Sequence, residues 1–99
     1  MLYKDVVDLV RITIIKDKLH QERKIEERNQ VFADRKSISQ TEFYSAGNSG
    51  FNPQYVFSIR MSDYNFEESL YYNNYKYSIY RTYQKGEFIE LYTHKKVGE

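Results

Sequence analysis

Leu70-Tyr71-Tyr72-Asn73-Asn74-Tyr75-Lys76-Tyr77-Ser78-Ile79 reads as two strands joined by a two-residue turn. Asn tolerates the positive φ angles that such a turn demands, and the flanking aromatic and β-branched residues suit a half-buried sheet surface. The returning strand continues over residues 75–83, with Tyr75, Tyr77 and Ile79 facing one way. Lys85-Gly86 then turns the chain into a last strand over residues 87–93, where Phe88, Glu90 and Tyr92 alternate with Ile89 and Leu91. Upstream, Tyr55, Phe57 and Ile59 alternate with Val56, Ser58 and Arg60, the period of one more strand.

Toward the N-terminus, residues 5–17 hold Val6, Val7, Val10, Ile12, Thr13, Ile14 and Ile15 and read as a strand. Their apolar phase changes from Val7 and Leu9 to Val10, Ile12 and Ile14, which predicts a bulge or a barrel bend. Residues 31–38 form another short strand, with Val31, Ala33 and the Arg35 stem alternating against Phe32, Asp34 and Lys36. Between them, KLHQERKIEER (residues 18–28) admits two readings. Its residues are good helix formers, but Leu19 and Ile25 make no helical stripe, and the same charges suit an exposed hairpin strand. About six strands with one short helix, in a chain long enough for one core, predict a single mainly β domain over residues 1–99, a small barrel or sandwich.

Composition narrows the function. The chain has 99 residues, fifteen Lys and Arg, fourteen Asp and Glu, and a net charge of +1. A free-standing nucleic-acid binder usually carries a clear basic excess. No cysteine is present, which removes disulfides, thiolate chemistry and cysteine-ligated zinc. His20 and His94 stand far apart without an HExxH pattern, and no GxSxG elbow accompanies the serines, so neither a metal, nor a cofactor, nor an enzyme is expected. Glu67-Glu68 would point to opposite faces of a strand and read as a solvated edge. Apolar runs are too short for a membrane span, and Lys4, Asp5 and Asp8 do not suit a secretory signal.

The middle of the chain is unusual: residues 37–54 hold one charged residue, Glu42. Ser39-Gln40-Thr41-Glu42 fits a capping box, with Ile38 and Phe43 at the staple positions. A helix over residues 40–46 follows, expected to stop at Gly47, and Asn48-Ser49-Gly50-Phe51-Asn52-Pro53 should be a loop. A Gly, Ser and Asn loop is often only a connection, but an eighteen-residue interruption between strands of so small a domain is usually functional.

The sequence resembles the head-closure, or stopper, proteins of the head-to-tail joining interface in long-tailed bacteriophages and prophages of Gram-positive bacteria. The likeness runs over nearly the whole chain and rests on the order and spacing of several stretches. They are Tyr3-Lys4-Asp5-Val6-Val7, Val31-Phe32-Ala33, Lys36-Ser37-Ile38-Ser39-Gln40, Glu42-Phe43-Tyr44-Ser45-Ala46, Tyr55-Val56-Phe57-Ser58-Ile59-Arg60, Asp63-Tyr64, Tyr72-Asn73-Asn74, Tyr77-Ser78-Ile79 and Ile89-Glu90-Leu91. The resemblance implies a non-enzymatic β-barrel subunit of the virion, made in the host cytoplasm. It would form a ring below the portal and adaptor, close the DNA exit channel after packaging and dock tail-completion proteins, with no membrane involved and DNA contacted without sequence specificity. It also favours an extended hairpin over residues 18–28.

In such proteins a loop between two barrel strands forms the channel gate. The corresponding positions are Ser39, Glu42, Phe43, Tyr44, Ala46 and Gly47, then Asn48, Ser49, Gly50, Phe51, Asn52 and Pro53. A near-neutral gate avoids the salt-sensitive phosphate binding of Lys and Arg clusters. Candidate subunit contacts are Glu22, Arg23, Lys24, Glu26 and Arg28, together with Tyr75, Tyr77 and Arg81. Two alternatives stand beside this reading: a tail-side connector of the same fold, and an OB-like module that stacks single-stranded nucleic acid on its tyrosines. Tyrosines that simply pack a small barrel are the plainer account of the same residues.

Overall fold

Asn73 and Asn74 both take left-handed φ, 50° and 67°, and the turn pairs Tyr72 with Tyr75 and Leu70 with Tyr77. A computed structural model describes residues 4–95 of the chain, so Tyr3 lies outside the described residues. The elements are β1 (Asp5–Lys16), β2 (Glu22–Ser37), α1 (Gln40–Asn48), β3 (Pro53–Arg60), a 3-10 turn (Met61–Asp63), β4 (Ser69–Tyr72), β5 (Tyr75–Lys85) and β6 (Phe88–His94). The strands close into a barrel in the order β1-β2-β3-β6-β5-β4, each neighbouring pair antiparallel, with Leu9 opposite Leu70 at the closure. The fold is thus the expected mainly β barrel with one short helix inserted between strands.

Period-two alternation fills the interior. Val7 and Leu9, Val31 and Ala33, Phe57 and Ile59, Leu70 and Tyr72, Tyr77, and Ile89 and Leu91 make one buried cluster that Tyr64 joins from the 3-10 turn. Each fully buried Leu, Ile or Phe contributes about 1.5–3 kcal/mol, which makes Leu9, Phe57, Ile59, Leu70 and Leu91 the main source of stability. At one end of the barrel the Tyr72 hydroxyl donates to Asp5 Oδ1 at 3.0 Å, and Arg35 donates to the same hydroxyl at 3.4 Å. Burial first, then the hydrogen bond to Asp5, raises the Tyr72 hydroxyl above its ordinary pKa.

One open reading resolves to the extended hairpin that the resemblance favoured, and two expectations change. The segment ambiguous between helix and strand is strand: residues 22–28 belong to β2. Of the bulge or barrel bend expected in β1, the bulge does not occur: the pairing with β2 runs unbroken from Asp5↔Ala33 to Lys16↔Glu22. The phase change has another cause: Val10 is buried on the outer face beside residues 65–69, while Ile12 and Ile14 lie beyond the barrel. Finally, α1 does not stop at Gly47. It runs to Asn48 with Ser49 as C-cap, and the left-handed residue is Gly50, at φ 87°.

Beyond Val10, β1 pairs with β2 alone. The six pairs from Arg11↔Glu27 to Lys16↔Glu22 form a two-stranded arm of about 20 Å by strand rise. Asp17 organises its tip: Oδ1 accepts the Leu19 and Gln21 amides, each at 2.9 Å, and His20 takes a left-handed φ of 59°. The arm elongates the molecule to 50 × 30 × 24 Å.

Candidate functional site

The near-neutral segment is held against the outside of the barrel by two anchors. At its start, Ser39 caps α1 by accepting the Glu42 amide at 3.1 Å. The reciprocal half of the capping box is replaced: the Glu42 carboxylate turns to β5, where Oε1 accepts from Arg81 Nε and from the Tyr80 hydroxyl. Adjacent strand residues normally point to opposite faces. The register shift between Ile79 and Arg81 removes that constraint and lets Tyr80 and Arg81 converge on one oxygen.

The Arg81 guanidinium also lies 3.7 Å from the Tyr92 ring centre, a cation–π contact. Burial, and then the Glu42 charge beside it, pushes the Tyr80 hydroxyl up to about 12. Arg81 is raised by its hydrogen bond to Glu42, and Tyr92 by burial and then by Glu90.

The second anchor is Phe51. Its ring stacks on Tyr80 at 4.8 Å and meets the His94 ring edge-on at 4.8 Å. The amides of Ser49 and Phe51 both donate to Ala46 O, closing the helix end, and Lys95 N donates to Asn52 O at 3.2 Å. Of the helix residues only Ala46 is buried, whereas Phe43 and Tyr44 are 50% and 63% exposed. Gly47, Asn48, Ser49 and Gly50 face solvent, and Pro53 is buried where β3 begins. The expected gate residues are therefore contiguous and docked, with their single charge paired.

The expected contact residues do not form one surface. Glu22, Arg23 and Lys24 are exposed on the outer arm. Glu26 and Arg28 stand at its base, where Arg28 covers the Tyr71 ring at 3.8 Å and Glu26 accepts from the Tyr71 hydroxyl at 3.3 Å. Tyr75 is exposed, and Arg81 is held by Glu42. Tyr77 corrects the expectation: it is 8% exposed and packs inside the barrel, where it offers a partner almost no surface and cannot stack a base.

Residues 65–68 carry what the sequence concealed. Glu67 is not a solvated edge residue but 6% exposed; one oxygen accepts the Asn65 amide at 2.6 Å, and the other, Oε2, is buried without a partner. Only Glu68 is exposed as expected. Phe66 is 80% exposed at φ 60°. No local pattern marks these features, because the burial of Glu67 depends on β1 passing beside it.

Among the described residues, no group of three or more histidine, aspartate or glutamate side chains comes together as a metal site, and no helix is long and apolar enough to cross a membrane. Compared with known proteins, the chain matches no family model and no curated protein.

Proposed function

We propose that this protein is a non-enzymatic, ring-forming subunit of a phage head–tail interface that sits in the virion below the portal and adaptor, closes the DNA exit channel and docks the tail. The observation that carries the reading is the docked segment of residues 39–53 between β2 and β3. It is hung on the barrel by Glu42 and Phe51, and its only carboxylate is neutralised by Arg81. A segment that blocks a polyanion and later releases it should neither bind phosphate nor carry a repelling charge, and the Glu42–Arg81 pairing meets both conditions. A helix held by Glu42 and the buried Ala46, with Phe51 as an anchor just beyond its end and its other residues mostly exposed, also suits an element that leaves the barrel wall to enter a channel. In a ring, one face of each subunit meets a different face of the next, and the projecting arm supplies one such face.

The test is to assemble particles without the protein, and with Phe51→Ala in its place. Particles lacking it are expected to lose packaged DNA and fail to join tails. Full DNA retention with normal tail joining refutes the proposal.

A further inference from the structure

The two edges of the arm differ in character. Residues 22–28 of β2 are charged at every position but Ile25, the dense charge that keeps an exposed strand edge from pairing. The β1 edge is Arg11-Ile12-Thr13-Ile14-Ile15-Lys16, whose middle is uncharged and β-branched throughout, with the three isoleucines 45–57% exposed. Among the described residues no strand pairs that edge: β4 leaves β1 at Val10, and residues 65–68 lie across a cleft of about 470 Å³ that Ile12 lines. A two-stranded ribbon with no third strand is marginal in water on its own.

The hydrogen-bonding parity of the edge is fixed from both ends. At the tip the Asp17 amide donates to Gln21 O at 3.0 Å, and the ladder below it is unbroken. Arg11, Thr13 and Ile15 therefore turn their backbone groups to β2, while Ile12, Ile14 and Lys16 turn theirs outward. At the barrel the Ile79 amide donates to Glu68 O, which commits Leu70 and Tyr72 to β5 and leaves Ser69 and Tyr71 to bond Val10 and Asp8. The same even-numbered residues of β1 thus face outward by both routes.

We propose that two copies of this chain pair their β1 edges antiparallel about a two-fold axis at Ile14, so that the two arms form one four-stranded sheet. In this register Ile14 bonds the partner's Ile14, and Ile12 and Lys16 bond the partner's Lys16 and Ile12, which uses every outward residue. A shift toward the base would need Val10, which Ser69 already holds, and a shift toward the tip would need Lys18, which lies in the turn. Thr13 then faces the partner's Ile15, a β-branched pair made twice, and Arg11 faces the partner's Asp17, so no like charges stand opposite one another.

The occupant is a second copy because the edge complements itself in this one register. Arms that overlap in opposite directions also keep their barrels at opposite ends of the sheet, whereas arms side by side in one direction would set molecules at least 24 Å across at a spacing of roughly 10 Å. The charged β2 strands become the outer edges of the sheet and stop growth at two copies. The contact leaves residues 39–53 and the β2 edge open to a ring and does not rest on the proposed function.

The chain has no cysteine, so single-cysteine variants report proximity directly. Thr13→Cys and Ile15→Cys, mixed and oxidised, are expected to give a disulfide-linked pair, whereas either variant alone, or Thr13→Cys with Tyr83→Cys, is not. Ile14→Pro removes an outward N–H and none of the arm's own ladder, and Ile14→Lys sets two ammonium groups against each other at the axis. Each is expected to weaken self-association, measured by sedimentation on the full chain, by at least roughly tenfold. Far-UV circular dichroism should stay unchanged in Ile14→Lys, which separates a lost contact from a lost arm. Dimers that persist in both Ile14 variants overturn the contact, as does a chain that stays monomeric and uncrosslinked at its solubility limit. Rings without the 13–15 crosslink overturn it and leave the ring standing; crosslinked dimers that never bind the portal and adaptor support it and refute the ring.

Discussion

Truncating Phe51 to alanine should undock α1 without unfolding the barrel. A fully buried Phe→Ala change costs roughly 3–5 kcal/mol, and the half-buried Phe51 should lose about half of that. Its contacts with Tyr80 and His94 fall within the range of aromatic pairs that contribute about 0.5–1.5 kcal/mol each beyond area. Since the ring contacts are already largely contained in the truncation cost, a total of about 2–3 kcal/mol follows, and at 1.4 kcal/mol per factor of ten the open population of the segment rises roughly 30–140-fold. What remains is the Lys95–Asn52 hydrogen bond, the buried Ala46, and Glu42 held by the Tyr80 hydroxyl and by Arg81, whose side chain is nearly half exposed; exposed ion pairs contribute about 1 kcal/mol or less.

Amide hydrogen exchange reads this directly, because local opening and global unfolding are separable by site. Amides of residues 43–48 should exchange roughly 30–140-fold faster in Phe51→Ala, while those of Leu9, Phe57 and Leu91 should change far less. Unchanged exchange in α1 would show that Phe51 is not an anchor. Equal acceleration in α1 and the barrel strands would show that the segment is part of the cooperative core and cannot act as a separate gate.

Other consequences are narrower. The Tyr80 hydroxyl is raised to about 12, above its ordinary value near 10, by burial and by Glu42. Its contribution to stability is therefore complete below about pH 10 and is lost as pH rises through about 12. Tyrosinate absorbance should show a late-titrating component that disappears in Tyr80→Phe and moves back toward 10 in Glu42→Gln; an unaltered late component in both variants would refute the assignment. At the hairpin, Asn74→Val forces a β-branched residue into φ 67° and should lower stability by about 1–2 kcal/mol in urea unfolding; no change would mean that the turn relaxes.

How much of this was legible in the sequence follows the range of the interactions. The Asn73-Asn74 turn and the Ser39 cap were readable because each is satisfied within a few residues. The alternation of β3 and β6 was readable because one face of each meets the barrel interior. Glu42 was misread at one oxygen: its nearest sequence donor is the Ser39 amide, but Arg81, 39 residues away, competes more strongly once a β5 bulge re-aims it. The end of α1 was placed two residues early because Gly47 is a permissible stop, whereas the left-handed turn is taken by Gly50 where Phe51 docks. Neither the burial of Glu67 nor the exposure of the arm isoleucines has a local signature. Both depend on where β1 passes β4 and where its pairing with β4 ends, at Val10.

The central claim is that this chain closes a channel as a ring. Native mass spectrometry of the purified protein, alone and mixed with the portal and adaptor from the same genomic neighbourhood, tests it most directly. The account predicts a ring of this chain bound to the portal–adaptor complex. A chain that ignores that complex at every concentration contradicts it.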